Sequence, residues 1–246
     1  MNIYPIPALH DNYIWMIYHP LKLQAAIVDP GDAQPVIKHL KQFNLNLSAI
    51  LITHHHGDHT HGVDELVRHY RCPVYWPQDL EENHTITVNA LDIHYKILKI
   101  PGHTLDHIAY YGQHNLFCGD TLFAGGCGRV FEGTMEQMYE SLMKLAALPD
   151  DTTIYCAHEY TVNNLRFAET VEPHNTDIQQ RLNHAQALRA ATQVTLPSSL
   201  ELERKTNPFL RCSESTVIKK ICEKYQLVNP TSVQVFKYLR QWKDTF

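Results

Sequence analysis

No stretch of this chain approaches the roughly 18 uninterrupted apolar residues that a membrane-spanning helix needs, which excludes an integral helical membrane protein. The opening MNIYPIP has neither a basic n-region nor an apolar stretch, so it does not read as a secretory leader. With that start as the native one, the expected compartment is the cytoplasm. The six cysteines (Cys72, Cys118, Cys127, Cys156, Cys212 and Cys222) include no C-x-x-C pair. They are expected to be reduced thiols, several of them buried, rather than a disulfide framework. A basic stripe is also missing. Net charge is −5, and nothing offers the phosphate-neutralising surface of a nucleic-acid binder. Internal repeats and low-complexity tracts are absent, and 44% hydrophobic with 19% charged residues excludes a disordered chain. A length of 246 residues suits one large domain, or a medium one with a smaller one attached.

Histidine is what the chain has in excess, with 17 residues. It is the commonest metal ligand, so a metal site is the first thing to seek. Charge is unevenly placed. Residues 1–165 carry nine Lys and Arg against 18 Asp and Glu, whereas residues 166–246 carry 12 against eight. A mildly basic C-terminal third fits the holding of a small anion.

The first 165 residues alternate strand and helix signals. Strands are expected over residues 12–18, 25–29, 47–53, 74–76, 85–88, 93–100, 108–111, 115–118 and 153–156. Asp32 is placed to cap a helix over residues 33–43, and another helix is expected over 62–70. Thr134 with Gln137 three residues on forms a capping-box pattern before a helix over 135–148. Such alternation implies sheets covered by helices, an α/β layered sandwich. Beyond residue 165 the pattern turns helical, over 162–171, 176–192, 213–225 and 231–243, with no β run. The polar residues 195–207 read as a connecting loop. The expected organisation is a metal-binding domain over 1–165 and a smaller helical domain over 166–246.

The chemistry concentrates where the apolar run 47–53 ends in His54-His55-His56-Gly57-Asp58-His59. Alternate residues of extended chain point the same way, so His54 and His56 can share one ion. Asp58 and His59 lie past the glycine turn and can face a second. Imidazole and carboxylate suit zinc and also accept iron or manganese. Four residues cannot close a two-metal site, and three further strand ends offer candidates: His103, Asp120 and His158. Each sits one to three residues past an apolar strand, beside a small residue that permits a tight turn. Each alone reads equally as a turn-former or a cap. Together they complete a ligand set.

The segment Thr53-His54-His55-His56-Gly57-Asp58-His59, with His103, Asp120 and His158 downstream, resembles the metallo-β-lactamase superfamily of binuclear metallohydrolases. Within it the chain is similar over essentially its full length to the glyoxalase II (hydroxyacylglutathione hydrolase) family. Gly119-Asp120-Thr121-Leu122-Phe123, Gly126-Cys127-Gly128-Arg129 and His158-Glu159-Tyr160-Thr161 with Asn163-Asn164 carry that likeness. Asn207-Pro208-Phe209 and Arg240-Gln241-Trp242-Lys243 carry it further. The resemblance implies an αββα sandwich followed by a smaller all-helical C-terminal domain. It implies one metal ion held by His54, His56 and His103, and another held by Asp58, His59 and His158, with Asp120 bridging the two. It further implies a small-molecule substrate of the S-D-lactoylglutathione type, cleaved to D-lactate and glutathione as the last step of methylglyoxal detoxification. Arg129, Tyr160, Arg240 and Lys243 are the residues implied to bind glutathione. Position 129 is often Lys in relatives, and Phe131 stands where some have Tyr, so a hydroxyl contact there is missing or supplied elsewhere.

Two divalent ions about 3.5–4 Å apart can share a water and convert it to hydroxide near neutral pH, so no Ser or Cys nucleophile is required. Asp58 is placed to orient that hydroxide as well as to ligate. Zinc is the expected metal, with iron or manganese possible, and the expected state is a monomer with no nucleic-acid or membrane partner. His107, four residues past His103, fits either the orienting of a ligand or a structural role. Other readings are a persulfide dioxygenase, a lactonase, a β-lactamase or a nuclease of the same superfamily, or a non-catalytic metal-binding scaffold. The absent leader counts against the β-lactamase, and the acidic metal domain against the nuclease. The helical tail with Arg240 and Lys243 counts against the dioxygenase, and the complete ligand set against the scaffold.

Overall fold

The computed structural model describes residues 1–246. Its strands are β1 Asn2–Ala8, β2 Asn12–His19, β3 Gln24–Val28, β4 Asn46–Leu51, β5 Val74–Tyr75, β6 Thr85–Val88 and β7 Ile93–Lys99. β8 Ile108–Gly112, β9 Asn115–Gly119, β10 Leu122–Phe123, β11 Gly126–Cys127, β12 Thr153–Cys156 and β13 Ser198–Ser199 follow. The helices are α1 Ala33–Gln42, α2 Gly57–Thr60, α3 Val63–Tyr70, α4 Met135–Ala146 and α5 Thr161–Val171. They continue with α6 Thr176–Ala190, α7 Leu200–Thr206, α8 Ser215–Tyr225 and α9 Ser232–Asp244. One sheet runs β1-β2-β3-β4-β5 and the other β13-β12-β9-β8-β7-β6, with a small β10-β11 pair.

The chain divides into two compact units. The first comprises Met1–Lys99, Asp106–Gly119 and Tyr155–His158. In it β1, β2 and β3 pair antiparallel, whereas β3-β4 and β4-β5 pair parallel, with α1 and then α2 and α3 as the crossovers. Antiparallel neighbours need only a turn, but parallel ones need a crossover, and a helix fills that role. β4 is apolar and buried along most of its length because both its faces are covered. Helices α1 and α3 pack on one face through Val36, Ile37, Leu40, Val63 and Leu66, in one cluster with Ile14, Met16, Ile27, Ile50 and Ile52. Each such fully buried aliphatic side chain contributes about 1.5–3 kcal/mol. The other sheet closes the opposite face. Tyr110 on β8 donates its hydroxyl proton to Ile52 O at 2.9 Å, and Trp15 Nε1 on β2 donates to Cys156 O at 3.0 Å. β7 alternates, with Ile93, Tyr95 and Ile97 inward and His94 and Lys96 outward, as a strand with one wet face should.

The second unit comprises Ile100–Leu105, Asp120–Ile154 and Glu159–Phe246. α4 begins at the capping box that Thr134 and Gln137 predict, and α9 begins at a second one, Thr231 with Gln234. Phe167, Phe209 and Phe236 are fully buried here, with Phe209 5.9 Å from Phe236 and 6.0 Å from Phe167 between ring centroids. Large aromatics at such spacing account for much of a small helical core.

Two expectations need correction. Residues 195–207 are not a plain loop: Ser198–Ser199 pairs antiparallel with Thr153 and Ile154 of β12, and Leu200–Thr206 is helical. A β run therefore does occur after residue 165. The polar reading failed because Glu203 is fully buried, its carboxylate taken up by Arg181, Ser198, the Gly125 N–H and Asn207. Polarity here marks an internal network rather than solvent. β1 also goes beyond the expected strands. It contains Pro5 and Pro7, which a sheet admits at an edge, where β1 lies.

Candidate metal centre

In the first unit five potential ligands come together at the C-terminal ends of strands. The chain leaves β4 pinned by Asp29, whose carboxylate accepts from Thr53 N at 2.8 Å and Thr53 Oγ1 at 2.7 Å. The chain bends at Thr53 and His54 before α2, and His54 Nε2 lies 3.2 Å from His56 Nδ1. Asp58 and His59 lie in the single turn α2, with His59 Nε2 3.3 Å from Asp58 Oδ2. His158, just past β12, brings its Nε2 to 3.5 Å from the same Asp58 oxygen. His54, His59 and His158 are buried, whereas His56 and Asp58 are partly open. Gly31 admits this loop: a Cβ there would lie 1.8 Å from Asp58 O. Gly119 at the end of β9 has φ +46°, and a Cβ would sit 2.3 Å from Thr53 Oγ1. A side chain is excluded there by conformation and by space.

In the second unit His103 and Asp120 are both buried, with His103 Nε2 3.5 Å from Asp120 Oδ2. Within the first unit the ligand atoms form two groups. One is His54 and His56; the other is Asp58, His59 and His158. Within each group the atoms lie within 4.8 Å of one another.

The outer nitrogens of the imidazoles decide what the inner ones can do. Thr53 Oγ1 gives its proton to Asp29, so at 3.1 Å from His54 Nδ1 it accepts from the ring. His103 Nδ1 donates to Arg129 O at 2.8 Å, and His158 Nδ1 to Asp11 Oδ1 at 2.8 Å. His59 Nδ1 faces Asp29 Oδ2 at 3.1 Å. With the proton held at Nδ1, each neutral ring presents its Nε2 lone pair inward. The His158 ring and then the His59 ring beside it hold the Asp58 carboxyl far below the usual carboxylate range, so it is an anion. Lone pairs and carboxylate oxygens facing one another at 3.2–3.5 Å repel unless a cation lies among them. All-imidazole and imidazole–carboxylate donor sets fit divalent cations of the zinc, iron and manganese kind.

Sequence reasoning missed Asp11, Asn12 and Asp29, which touch ligands rather than serving as ligands. Asn12 Nδ2 donates to Asp58 Oδ2 at 3.0 Å. The only signal was an acidic residue directly before β2 and another directly after β3. His107 is fully buried and stacks on His54 at 4.5 Å and 13° between rings, donating Nδ1 to Ile108 O.

The four expected glutathione-binding residues all lie in the second unit. Arg240, on α9, is 3% exposed; its Nη1 donates to Cys127 O at 2.8 Å, and its face lies 5.1 Å from the Phe209 ring. Lys243, one turn on, donates Nζ to Asn163 O at 3.2 Å. Burial and then the Arg240 charge push its ammonium down to about 8. Arg129 is exposed and approaches Asp244 Oδ1 at 3.5 Å. Tyr160 is partly exposed, its ring edge-on to Phe123 at 5.2 Å. Phe131 is exposed, its ring 5.1 Å from that of His103. All six cysteines are free thiols, and five are buried. Burial pushes the Cys127 thiol up to about 11, which leaves it unreactive.

The model of the metallo-β-lactamase superfamily matches residues 13–98 and 87–158, and this sets the class to which fold and centre belong. Two solved structures share the fold. ETHE1 from Myxococcus xanthus is 20% identical with a TM-score of 0.67, covering 100% of this chain and 99% of its own. The BLEG-1 B3 metallo-β-lactamase is 23% identical with a TM-score of 0.64, covering 85% and 99%. Residues 159–246 match the model described as hydroxyacylglutathione hydrolase C-terminus. The hydroxyacylglutathione hydrolase of Pseudomonas fluorescens (strain SBW25) is 50% identical over 256 residues, covering all of both chains. That of Nitrosomonas europaea is 46% identical over 258 residues, covering 100% of this chain and 97% of its own. The chain belongs to the hydroxyacylglutathione hydrolase family. The αββα sandwich followed by a helical C-terminal region agrees with expectation, and the enzyme is a metal-binding hydrolase.

Proposed function

We propose that this enzyme hydrolyses S-D-lactoylglutathione and related 2-hydroxyacyl thioesters to the hydroxy acid and glutathione. The observation that carries the reading is the convergence of His54, His56, Asp58, His59 and His158 in the first unit and of His103 with Asp120 in the second, with imidazole lone pairs and carboxylates turned inward. Full-length relatives named for this activity support it. His54, His56 and His103 would hold a first ion and Asp58, His59 and His158 a second, with Asp120 as the remaining ligand. When bound, such a pair of divalent cations acidifies water and polarises a thioester carbonyl, and zinc is the pair proposed here. Asp58, held as an anion by its histidine neighbours, accepts a hydrogen bond from the attacking water and so orients it. Thiolate is a good leaving group, so the chain need not supply a strong general acid. Arg129, Arg240 and Lys243 attract the glutathionyl carboxylates, and Tyr160 lines the same site.

Residues 1–165 form the catalytic domain in this reading, and residues 166–246 the substrate-binding one. The enzyme acts as a cytoplasmic monomer on a small molecule, without nucleic-acid or membrane partners; no helix is long and apolar enough to cross a membrane. The test is loss of thioester absorbance from S-D-lactoylglutathione before and after chelation. Turnover that chelation abolishes is expected. Turnover unaffected by chelation, or none by the metal-loaded enzyme, contradicts the reading.

A further inference from the structure

The cationic corner of the second unit already contains an anion. Asp244, on the last turn of α9, places one oxygen, Oδ1, 3.1 Å from Arg240 Nη2 and 3.5 Å from Arg129 Nε. Two guanidinium groups therefore converge on one carboxylate oxygen. Arg240 does not need Asp244 to hold its place. Its Nη1 is fixed by Cys127 O, its face covers Phe209, and the surrounding core leaves it 3% exposed. What a buried guanidinium does need is a counter-charge, since an unpaired buried cation is costly. Asp244 supplies one from an i, i+4 position on the same helix. Its side chain is 36% exposed, so it can turn to solvent at little cost. Arg129, with a side chain 60% exposed, can follow an incoming anion just as easily.

We propose that Asp244 is a built-in competitor for the glutathionyl carboxylate, neutralising Arg240 and Arg129 in the empty enzyme and yielding them when substrate binds. This rests on the thioesterase reading above, in which the same two arginines take that carboxylate. Binding is then an exchange of one carboxylate for another. Affinity for the glutathione moiety is held down, and the product leaves readily. Removing the charge at 244 leaves both arginines available without a carboxylate to displace.

The experiment measures binding of S-methylglutathione by calorimetry to the metal-loaded wild type and to Asp244→Asn and Asp244→Ala, at low and high salt, beside turnover of S-D-lactoylglutathione. Both variants should bind about three- to tenfold tighter at low salt, the effect of losing one or two partly exposed ion pairs. Their affinity should also fall more steeply with salt, because binding now creates net charge pairing instead of exchanging it. KM should fall in parallel. A purely structural role would weaken binding and leave the salt slope unchanged. Unchanged or weaker binding in both variants, with the wild type still turning over thioester, overturns the competitor role and leaves the enzyme reading intact. A wild type that neither binds S-methylglutathione nor hydrolyses the thioester overturns both.

Discussion

Lys243 gives the substrate site a pH dependence that an ordinary lysine would not. Burial, then the nearby Arg240, depresses its ammonium to about 8, whereas an unperturbed lysine titrates near 10.4. Only the protonated form attracts a carboxylate. Affinity for the glutathione moiety should therefore be full below pH 8 and lost as pH rises through it. If the protonated form alone binds, the apparent Kd scales as 1 + 10^(pH − 8), about 1.1 at pH 7 and about 11 at pH 9. The expected loss is about tenfold between those values, against a few per cent for an unperturbed lysine. The neighbours of Lys243 do not blur the readout. Burial holds the adjacent Cys127 as a thiol up to about 11. The assay is calorimetric binding of S-methylglutathione at pH 7, 8 and 9 to wild type and Lys243→Arg. The ligand's own amine titrates equally in both, so the difference between the two curves isolates residue 243. Lys243→Arg should lack the tenfold component. Parallel curves for the two proteins would refute the reasoning.

Gly119→Ala should lower unfolding stability by at least about 2 kcal/mol in denaturant titration, because φ +46° disfavours a side chain and the added Cβ meets Thr53 Oγ1. Its metal content should fall as well, since Thr53 orients His54. Glu203→Ala leaves Arg181, with a side chain 8% exposed, without its buried carboxylate. It should cost about 3–5 kcal/mol of stability by the same measurement. A loss below about 1 kcal/mol would show that the network around Glu203 relaxes freely.

How much was legible in the sequence depended on whether the determining partner lay nearby along the chain. Capping boxes are local, and Thr134–Gln137 marks the start of α4 within a residue of where it falls. The buried strand β4 followed by His-x-His-x-Asp-His is likewise a short-range pattern, and the structure brings those four side chains together. Strand ends beside small residues pointed to His103, Asp120 and His158, although no spacing rule links them to residues 54–59. The residues that orient these side chains were out of reach for the same reason. Asp29 lies 24 residues from Thr53, and Asp11 lies 147 from His158, so neither pairing leaves a periodic trace. Helix α7 was hidden by its polarity. Glu203 looks solvated until Arg181, Ser198 and Asn207 close around it.

Reconstitution of the metal-free enzyme with measured equivalents of zinc tests the central claim most directly. Hydrolysis of S-D-lactoylglutathione should rise with added metal and level off at two ions per chain, as two adjoining groups of ligands require. A plateau at one ion, or full turnover with none, would contradict it.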